Sequence, residues 1–223
     1  MTQNNRDPRR LTRRQLLLAG SAGIVGWSTM ASQALASHDI PQGLRRGFGD
    51  IRIGNKSAGA GDMLMPGESI ITGPGAQAVV VVGADAFLLR ENTRLQLEDN
   101  GGTRVLRYLS GKVLSVFGAG NKQLVTPTAT IGIRGTGCYI EARPERVYFC
   151  LCYGAADVTP NANPTMVKRM VTKHHEQPIT IDANASAMNA ADVINHSDAE
   201  LIMLEETVGR RPPFFGQPGL ARY

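Results

Sequence analysis

The stretch "GCYIEARPERVYFCLCY", residues 137–153, has the pattern of two strands joined in a hairpin around "RPER". Side chains alternate along a strand, so Cys150 and Cys152 share one face. An even-length loop places Cys138 opposite Leu151, whereas an odd-length loop would bring it across from one of the paired cysteines. The apolar pattern favours the even loop and predicts a core face. The residues expected on that face are Cys138, Ile140, Val147, Phe149, Leu151 and Tyr153.

The cysteine pair has three interpretations. Two thiolates and one or two imidazoles would satisfy a tetrahedral site for zinc or another transition metal. A disulfide within the pair is awkward, since alternating residues of a strand lie roughly 6.5 to 7 Å apart, at or beyond the usual disulfide span. In the third interpretation, both cysteines are inert, small apolar residues that are buried beneath a C-terminal helix. The pattern alone leaves the three open and makes no cofactor certain.

Three histidines are candidate partners for the thiols: His174, His175 and His196. Neighbouring residues of a strand point to opposite faces, so only one of His174 and His175 should bind a metal unless the chain bends. His196 precedes a predicted helix and offers a fourth ligand. We therefore predict a cluster of Cys150, Cys152 and His175, with His196 as its further ligand.

Working outward, residues 54–160 consist of short β-branched and aromatic runs separated by Gly, Asn, Asp or Pro clusters, roughly every 8 to 12 residues. This regularity predicts a mainly β fold, a single β-sandwich or β-roll domain of short strands. "TRVLRYL" and "KVLSVF" are expected as separate strands, as are "ATIGIR" and "GCYIEA". Residues 161–196 continue as a β extension and loop.

A short C-terminal helix is predicted over residues 197–209. Ser197 and Glu200 have the spacing of a capping box, and Gly209 is a natural stop. The irregular, Pro-rich tail of residues 210–223 carries exposed aromatics, suited to docking on another protein or to folding back on its own β surface. The residues on the apolar face of the helix are Leu201, Leu204 and Val208.

The N-terminus resembles an export signal. Arg13 and Arg14 precede a weakly apolar stretch and fit a twin-arginine signal, and Ala34 and Ala36 fit a cleavage site. We expect residues 1–36 to be cleaved and the product to be periplasmic or secreted, without a membrane span. The alternative is an uncleaved N-terminal anchor. A linker and first strand would occupy the next residues, 37–53.

The net charge of +5 comes largely from this N-terminal segment. Residues 1–36 contain five arginines and one aspartate, which leaves 19 basic and 18 acidic residues in the rest of the chain. Nothing in this balance favours nucleic acid as a partner.

The β region resembles the FecR domain. The resemblance covers roughly residues 54–160 and rests on "TGPGA" at 72–76, on "TPTATIGIRGT" at 126–136, and on "YLSGKVLSVF" and "YGAADV". Glycines in these motifs permit a turn and a bulge, and Arg134 could anchor neighbouring carbonyls or a carboxylate, or contact a partner. The motif residues are Thr72, Gly73, Pro74, Gly75, Thr126, Pro127, Arg134, Gly135 and Thr136.

The resemblance implies a non-enzymatic binding or signalling module of the cell envelope, with a protein partner. No nucleophile elbow, carboxylate pair or phosphate-binding glycine loop is present in the sequence, so no catalytic residue is predicted. The alternatives are a metal-binding protein, with a structural or sensing site built from the cysteines and histidines, and a soluble regulator of iron-uptake signalling.

Overall fold

The computed structural model describes residues 40–184 and 187–217. The predicted signal residues Arg13, Arg14, Ala34 and Ala36 lie outside the described residues, as do the last six residues of the tail. Within the described ranges, no helix combines the length and the apolar character that a membrane crossing requires.

The predicted mainly β fold with one short C-terminal helix is confirmed. The described part of the chain forms the strands β1 (Gly43–Phe48), β2 (Ile51–Ile53), β3 (Lys56–Ser57), β4 (Ser69–Thr72), β5 (Gln77–Val82), β6 (Asp85–Leu89), β7 (Arg94–Asn100), β8 (Thr103–Val116), β9 (Asn121–Val125), β10 (Ala129–Ala142), β11 (Arg146–Pro160), β12 (Lys168–Thr172), β13 (Ile179–Asp182) and β14 (Met188–Ala190), and the helix α1 (Asp198–Thr207).

These strands belong to one continuous hydrogen-bonded sheet. Its main path runs β14-β13-β11-β10-β9-β8-β7-β4-β2-β3, while β1, β5 and β6 join through β8, and β12 pairs with β11. Apolar residues from strands at both ends of this path pack into one cluster, so the sheet must curl around it. Of the two predicted architectures, this single curled sheet matches the β-roll rather than a β-sandwich of two sheets.

Two predicted pairs of short strands are each one long strand. β8 continues through Gly111, whose φ is +89° and where a Cβ would lie 2.3 Å from the hydroxyl of Thr93. The bend lets the first half of β8 pair with β7 and β9 and the second half with β6 and β10. β10 continues in the same way through an irregularity beside Gly135, at a φ of +56°. The glycines bend these strands without ending them.

Helix α1 begins as the sequence predicts. Ser197 accepts from the backbone N–H of Glu200, and the side chain of Glu200 reaches back to the amide of Ser197. Leu201, Leu204 and Val208 are all buried in a second apolar cluster, on the opposite face of the sheet from the main core. Gly209 follows the helix at a φ of +70°, which suits a stop. The helix thus covers the face on which the paired cysteines lie.

Candidate metal centre

The β10–β11 hairpin has the predicted register. Cys138 pairs with Leu151, as the even-length loop requires. Cys138, Phe149 and Leu151 lie in the main core, whereas Cys150 and Cys152 lie in the second cluster beneath α1. The division of the hairpin into a core face and a thiol face is therefore confirmed, and all three thiols are free.

Tyr153 is on the other side from its expected position. We predicted it on the core face, but it packs in the second cluster with the paired cysteines. The register shifts where β10 passes Gly137, and a Cβ at that glycine would lie 2.4 Å from the Tyr153 ring. Gly154 then adopts a φ of +99°. The irregularity turns the tyrosine towards α1, and strict alternation does not extend past it.

Two segments outside the hairpin bring histidines to the thiol face. His175 follows β12 and has a φ of +56°, and its backbone N–H donates to the Cys152 carbonyl at 2.9 Å. His196 immediately precedes the N-cap of α1 and stacks on the Tyr139 ring, with 4.6 Å between ring centroids. Both histidines are buried, with exposed fractions of 4% and 7%. Sequence-distant imidazoles therefore meet the two fully buried cysteines.

The four side chains converge on one point. The Cys150 Sγ lies 3.4 Å from the His175 Nδ1, and the Cys152 Sγ lies 3.5 Å from the His196 Nε2. The two imidazole nitrogens are 3.1 Å apart. All four atoms lie within 4.8 Å of one another. The predicted cluster of three residues is thus brought together with its predicted fourth member.

Hydrogen bonds at the far side of each ring determine which nitrogen faces this point. The Ile194 carbonyl oxygen can only accept, so the His196 Nδ1, 2.7 Å away, donates to it. The Asp198 carboxylate lies 3.1 Å from the His175 Nε2 and accepts its hydrogen. In the neutral tautomers assigned by these partners, the lone pairs of His175 Nδ1 and His196 Nε2 both point towards the thiols. This is the arrangement of metal-binding histidines held by outer partners.

His174 does not belong to the four-atom group. Its Nε2 lies 2.9 Å from each carboxylate oxygen of Asp198, and its ring contacts Phe214 edge-on at 4.7 Å. The chain bends at His175, and both rings contact Asp198, but of the two only the His175 ring has a second nitrogen beside a cysteine. Of the three candidate histidines, the structure places two in the cluster, while His174 faces the outer side of the aspartate.

The thiols differ electrostatically. The pKa of Cys150 is lowered to about 4, mainly because Cys152 donates a hydrogen bond to its sulfur. Burial raises this pKa, but the hydrogen bonds with His175 and His196 lower it further. Burial, followed by the facing Cys150 sulfur, raises the pKa of Cys152 well above its usual value. Burial opposes a charge on His175, but its hydrogen bond to Cys150 raises its pKa overall. The pocket therefore already favours one thiolate.

Cys150, His175 and Asp198 also form a thiol–imidazole–carboxylate chain, the arrangement that activates a nucleophilic cysteine. Such a cysteine must meet its substrate, and reactive cysteines are at least partly exposed. Cys150 is fully buried beneath α1. The geometry therefore suits an enclosed ligand set better than a nucleophile.

Asp198 is the site residue that sequence reasoning missed. It is the first residue of α1 and is only 3% exposed. An acidic residue after an N-cap is common in any helix because it stabilises the positive end of the helix dipole. Its local pattern thus gives no sign that it faces two histidines from a distant strand.

The motif residues of the β region have local structural contacts. Thr72 donates to the Arg90 carbonyl, and the backbone N–H of Gly75 donates to Glu91. Thr126 donates to the Ala129 carbonyl. Gly73, Pro74, Pro127, Gly135 and Thr136 lie in or beside the same turns and the β10 bulge.

Arg134 differs from the expectation of an anchor. It is exposed, and no side-chain hydrogen bond or ion pair joins it to another residue of the described ranges. It lines a surface pocket together with Arg169 and Asp157. The anchoring of a neighbouring carbonyl or carboxylate is therefore not observed.

No protein-family model and no curated protein matches the chain. Among solved structures, it is similar to two crystal structures described as a "putative anti-sigma factor" from Parabacteroides distasonis. For the 1.65 Å structure, the TM-score is 0.48 and the identity 14%, over 56% of this chain and 59% of that chain. For the 2.50 Å structure, the TM-score is 0.48 and the identity 13%, over 63% and 73%. The chain thus spans less than two thirds of the length of the 1.65 Å structure. The resemblance to the FecR domain stays a prediction from the sequence motifs.

Proposed function

We propose that this protein binds a transition metal ion, Zn²⁺ in the first place, through Cys150, Cys152, His175 and His196. The observation that carries the proposal is the orientation of the two imidazoles. Each ring has its outer nitrogen engaged as a donor, and the inner nitrogens face each other at 3.1 Å beside two sulfurs. Two lone pairs at this distance repel each other unless a proton or a metal ion lies between them. A metal ion satisfies both nitrogens together with the two thiolates, whereas a proton engages the nitrogens alone.

The measured separations support tetrahedral coordination. Zinc bonds of about 2.3 Å to sulfur and about 2.0 Å to nitrogen imply sulfur-to-nitrogen separations of about 3.5 Å and nitrogen-to-nitrogen separations of about 3.3 Å. The observed values are 3.4 and 3.5 Å for the first kind and 3.1 Å for the second. Two thiolates would also neutralise a divalent ion within this buried site.

The metal-free alternative is packing with two S–H to nitrogen hydrogen bonds. Each thiol would then donate to the imidazole beside it, and both cysteines would be inert buried residues. That arrangement gives each inner nitrogen a donor, but it keeps both sulfurs protonated, although the lowered pKa of Cys150 favours a thiolate there. It also leaves the two nitrogens facing each other at 3.1 Å with no cation between them. Coordination accounts for all four atoms, and so we favour it.

The site supports a structural or sensing role rather than catalysis. All four side chains are buried, and the protein supplies a complete tetrahedral set, as in closed zinc sites. A catalytic zinc keeps an open position for water or substrate. The chemistry that the ion supplies is cross-linking: it would tie the segment after β12 and the segment before α1 to the hairpin.

Metal analysis of the full chain tests this function. We expect about one equivalent of zinc per chain, and we expect a Co²⁺-loaded sample to show thiolate-to-cobalt charge transfer and tetrahedral visible bands. The double variant Cys150→Ser/Cys152→Ser should lose both signals. Cys138→Ala is the matched control, since Cys138 lies on the core face, and it should keep them. Background metal in the wild-type protein, or equal metal in the double variant, would overturn the proposal.

A second candidate is the non-enzymatic cell-envelope binding or signalling module that the FecR resemblance implies, of which a soluble regulator of iron-uptake signalling is a narrower form. Its structural support is exposed apolar side chains on outer strands of the sheet. Phe48 on β1 is 59% exposed and Val171 on β12 is 66% exposed. Such residues suit a protein partner. The two functions are compatible if the metal is structural or sensed.

Export and partner contact are tested separately. A tagged full chain should appear in the periplasmic fraction, and Arg13→Lys/Arg14→Lys should hold it in the cytoplasm if the signal is of the twin-arginine type. A photo-crosslinking residue placed at Phe48 or Val171 should give a discrete adduct in cells, and one at the exposed Arg94 should not. Equal labelling at all three positions would count against a specific surface.

A further inference from the structure

Asp198 joins the metal centre to the start of helix α1. It is the first residue of the helix, and its buried carboxylate lies 3.1 Å from the His175 Nε2 and 2.9 Å from the His174 Nε2. His196, two residues earlier, contributes its Nε2 to the cluster. The N-cap residue Ser197 lies between them. Of the two residues that flank the N-cap, His196 is therefore a proposed ligand and Asp198 contacts the ligand His175.

The two ends of the helix are held in different ways. At the far end, Glu205 bonds Tyr153 and Arg210, and Arg210 donates to the Ala84 carbonyl at 2.6 Å. Phe214 then packs on the Tyr153 ring, with 6.0 Å between centroids. None of these contacts involves a proposed ligand. This end can stay on the sheet whatever the site contains.

One contact at the near end does not pass through a ligand side chain. Arg90 on the sheet side donates to the Asn195 carbonyl at 2.7 Å and to Glu200 at 2.8 Å. It holds the same first turn from another direction. Arg90 thus offers a matched control, because it anchors the turn without touching a cysteine or histidine of the cluster.

We infer that Asp198 makes docking of the first turn of α1 depend on occupancy of the metal centre. The inference rests on the proposed metal binding and adds a regulatory consequence to it. A carboxylate that holds a metal-binding histidine typically changes metal affinity by 10- to 100-fold. Coupling between two equilibria is reciprocal. The bound ion therefore stabilises the docked turn by the same factor that Asp198 adds to metal affinity.

Chemically, the coupling works through the His175 ring. A metal ion at Nδ1 makes the Nε2 hydrogen more acidic, so the ring donates more strongly to the Asp198 carboxylate. Charge-assisted hydrogen bonds of this kind are stronger than neutral ones. When the ion leaves, the bond between His175 and Asp198 weakens and His196 loses its tie to the sheet. The turn then keeps the contacts that do not pass through a ligand, which are those of Arg90 with Asn195 and Glu200 and that of His174 with Asp198. Metal loss should then open the helix start while its far end remains docked.

Amide hydrogen exchange on the full chain, with zinc and after chelation, tests the coupling. We expect zinc to slow exchange over residues 197–203 by at least tenfold, with little change over residues 205–209 and in the centre of β11. Asp198→Asn keeps the shape and one acceptor oxygen but removes the charge. It should bind zinc 10- to 100-fold more weakly and, at saturating zinc, show a smaller slowing of the helix start.

The control is Arg90→Met. This variant should exchange faster at the helix start both with and without zinc, but the ratio of the exchange rates with and without zinc should stay that of wild type. Its zinc affinity should lie within about threefold of wild type, because Arg90 touches none of the four ligand side chains.

If wild type binds no zinc, the proposed function fails and the coupling fails with it. If wild type binds zinc but the exchange of 197–203 is unchanged, only the coupling is overturned. An unaltered zinc response in Asp198→Asn would exclude Asp198 as its carrier.

Discussion

The two faces of the β10–β11 hairpin carry the same residue type in different surroundings. On the core face, Cys138 lies among aliphatic and aromatic side chains drawn from the whole sheet. On the thiol face, Cys150 and Cys152 lie against two imidazoles and the helix. All three cysteines are fully buried. Burial therefore does not distinguish a packing cysteine from a candidate ligand; the groups that cover its face do.

The covers of the two faces also come from different parts of the chain. Strands of the same sheet close the core face, and hydrogen-bond ladders hold them in place. The thiol face is closed by a loop after β12 and by residues 194–214, which contact it mainly through side chains. The stability of the core face should therefore not change with metal binding, whereas that of the thiol face should depend on the ion that its side chains bind.

The largest effect is expected on the core face. Phe149→Ala removes a fully buried ring and should lower the free energy of unfolding by about 4 kcal/mol, because the cavity cannot close in a sheet of fixed spacing. Denaturant unfolding measures it. The loss should be the same with zinc and after chelation, and zinc stoichiometry should not change. A loss that disappears on chelation would show that the two faces are not separable.

Metal withdrawal should be next in size and should act on the thiol face only. An ion present at about 100 times its dissociation constant stabilises the fold by about 2.7 kcal/mol. Chelation should lower the free energy of unfolding of the wild-type chain by that amount. Cys150→Ser/Cys152→Ser is the control and should unfold identically with and without chelator. A chelator effect in this double variant would place the metal elsewhere.

A smaller effect is expected when the core cysteine alone is changed. Cys138→Ala removes one sulfur from the packed core and should cost about 1 to 2 kcal/mol, since its neighbours can close part of the space. Denaturant unfolding with a parallel zinc titration measures both properties. Unchanged zinc affinity would sharpen the contrast between the faces, and a tenfold loss would contradict the assignment of Cys138 to packing.

The smallest effect is expected at the helix cap. Ser197→Ala removes the acceptor of the Glu200 amide and should destabilise α1 by about 1 kcal/mol. Amide exchange along the helix measures it, with faster exchange in the first turn. Thr207→Ala, at the opposite end, is the matched control and should leave that turn unchanged. Equal effects from both variants would mean that the helix opens as a whole.

Local patterns predicted most of the fold because they follow from backbone geometry. Alternation set the register of Cys138 against Leu151, and the Ser197–Glu200 spacing set the helix start. The strand limits and the face of Tyr153 were predicted wrongly at positions where a glycine allows the strand to bend or shift its register. Gly111 joined two expected strands into one, and the irregularity beside Gly137 moved Tyr153 to the other face. A glycine that ends a strand and one that bends it look alike in sequence.

By itself, the sequence determined that two thiols share one face of a strand, because side-chain alternation is a property of the extended backbone. It also supplied the candidate histidines and the prediction that His175 and His196 join the thiols, but it gave no distance between any of them. Only the tertiary structure decided that His175 and His196 meet those thiols while His174 faces Asp198. The reason is distance along the chain: 25 and 44 residues separate these pairs. Their meeting depends on how the sheet curls and how the helix packs, which no local pattern encodes.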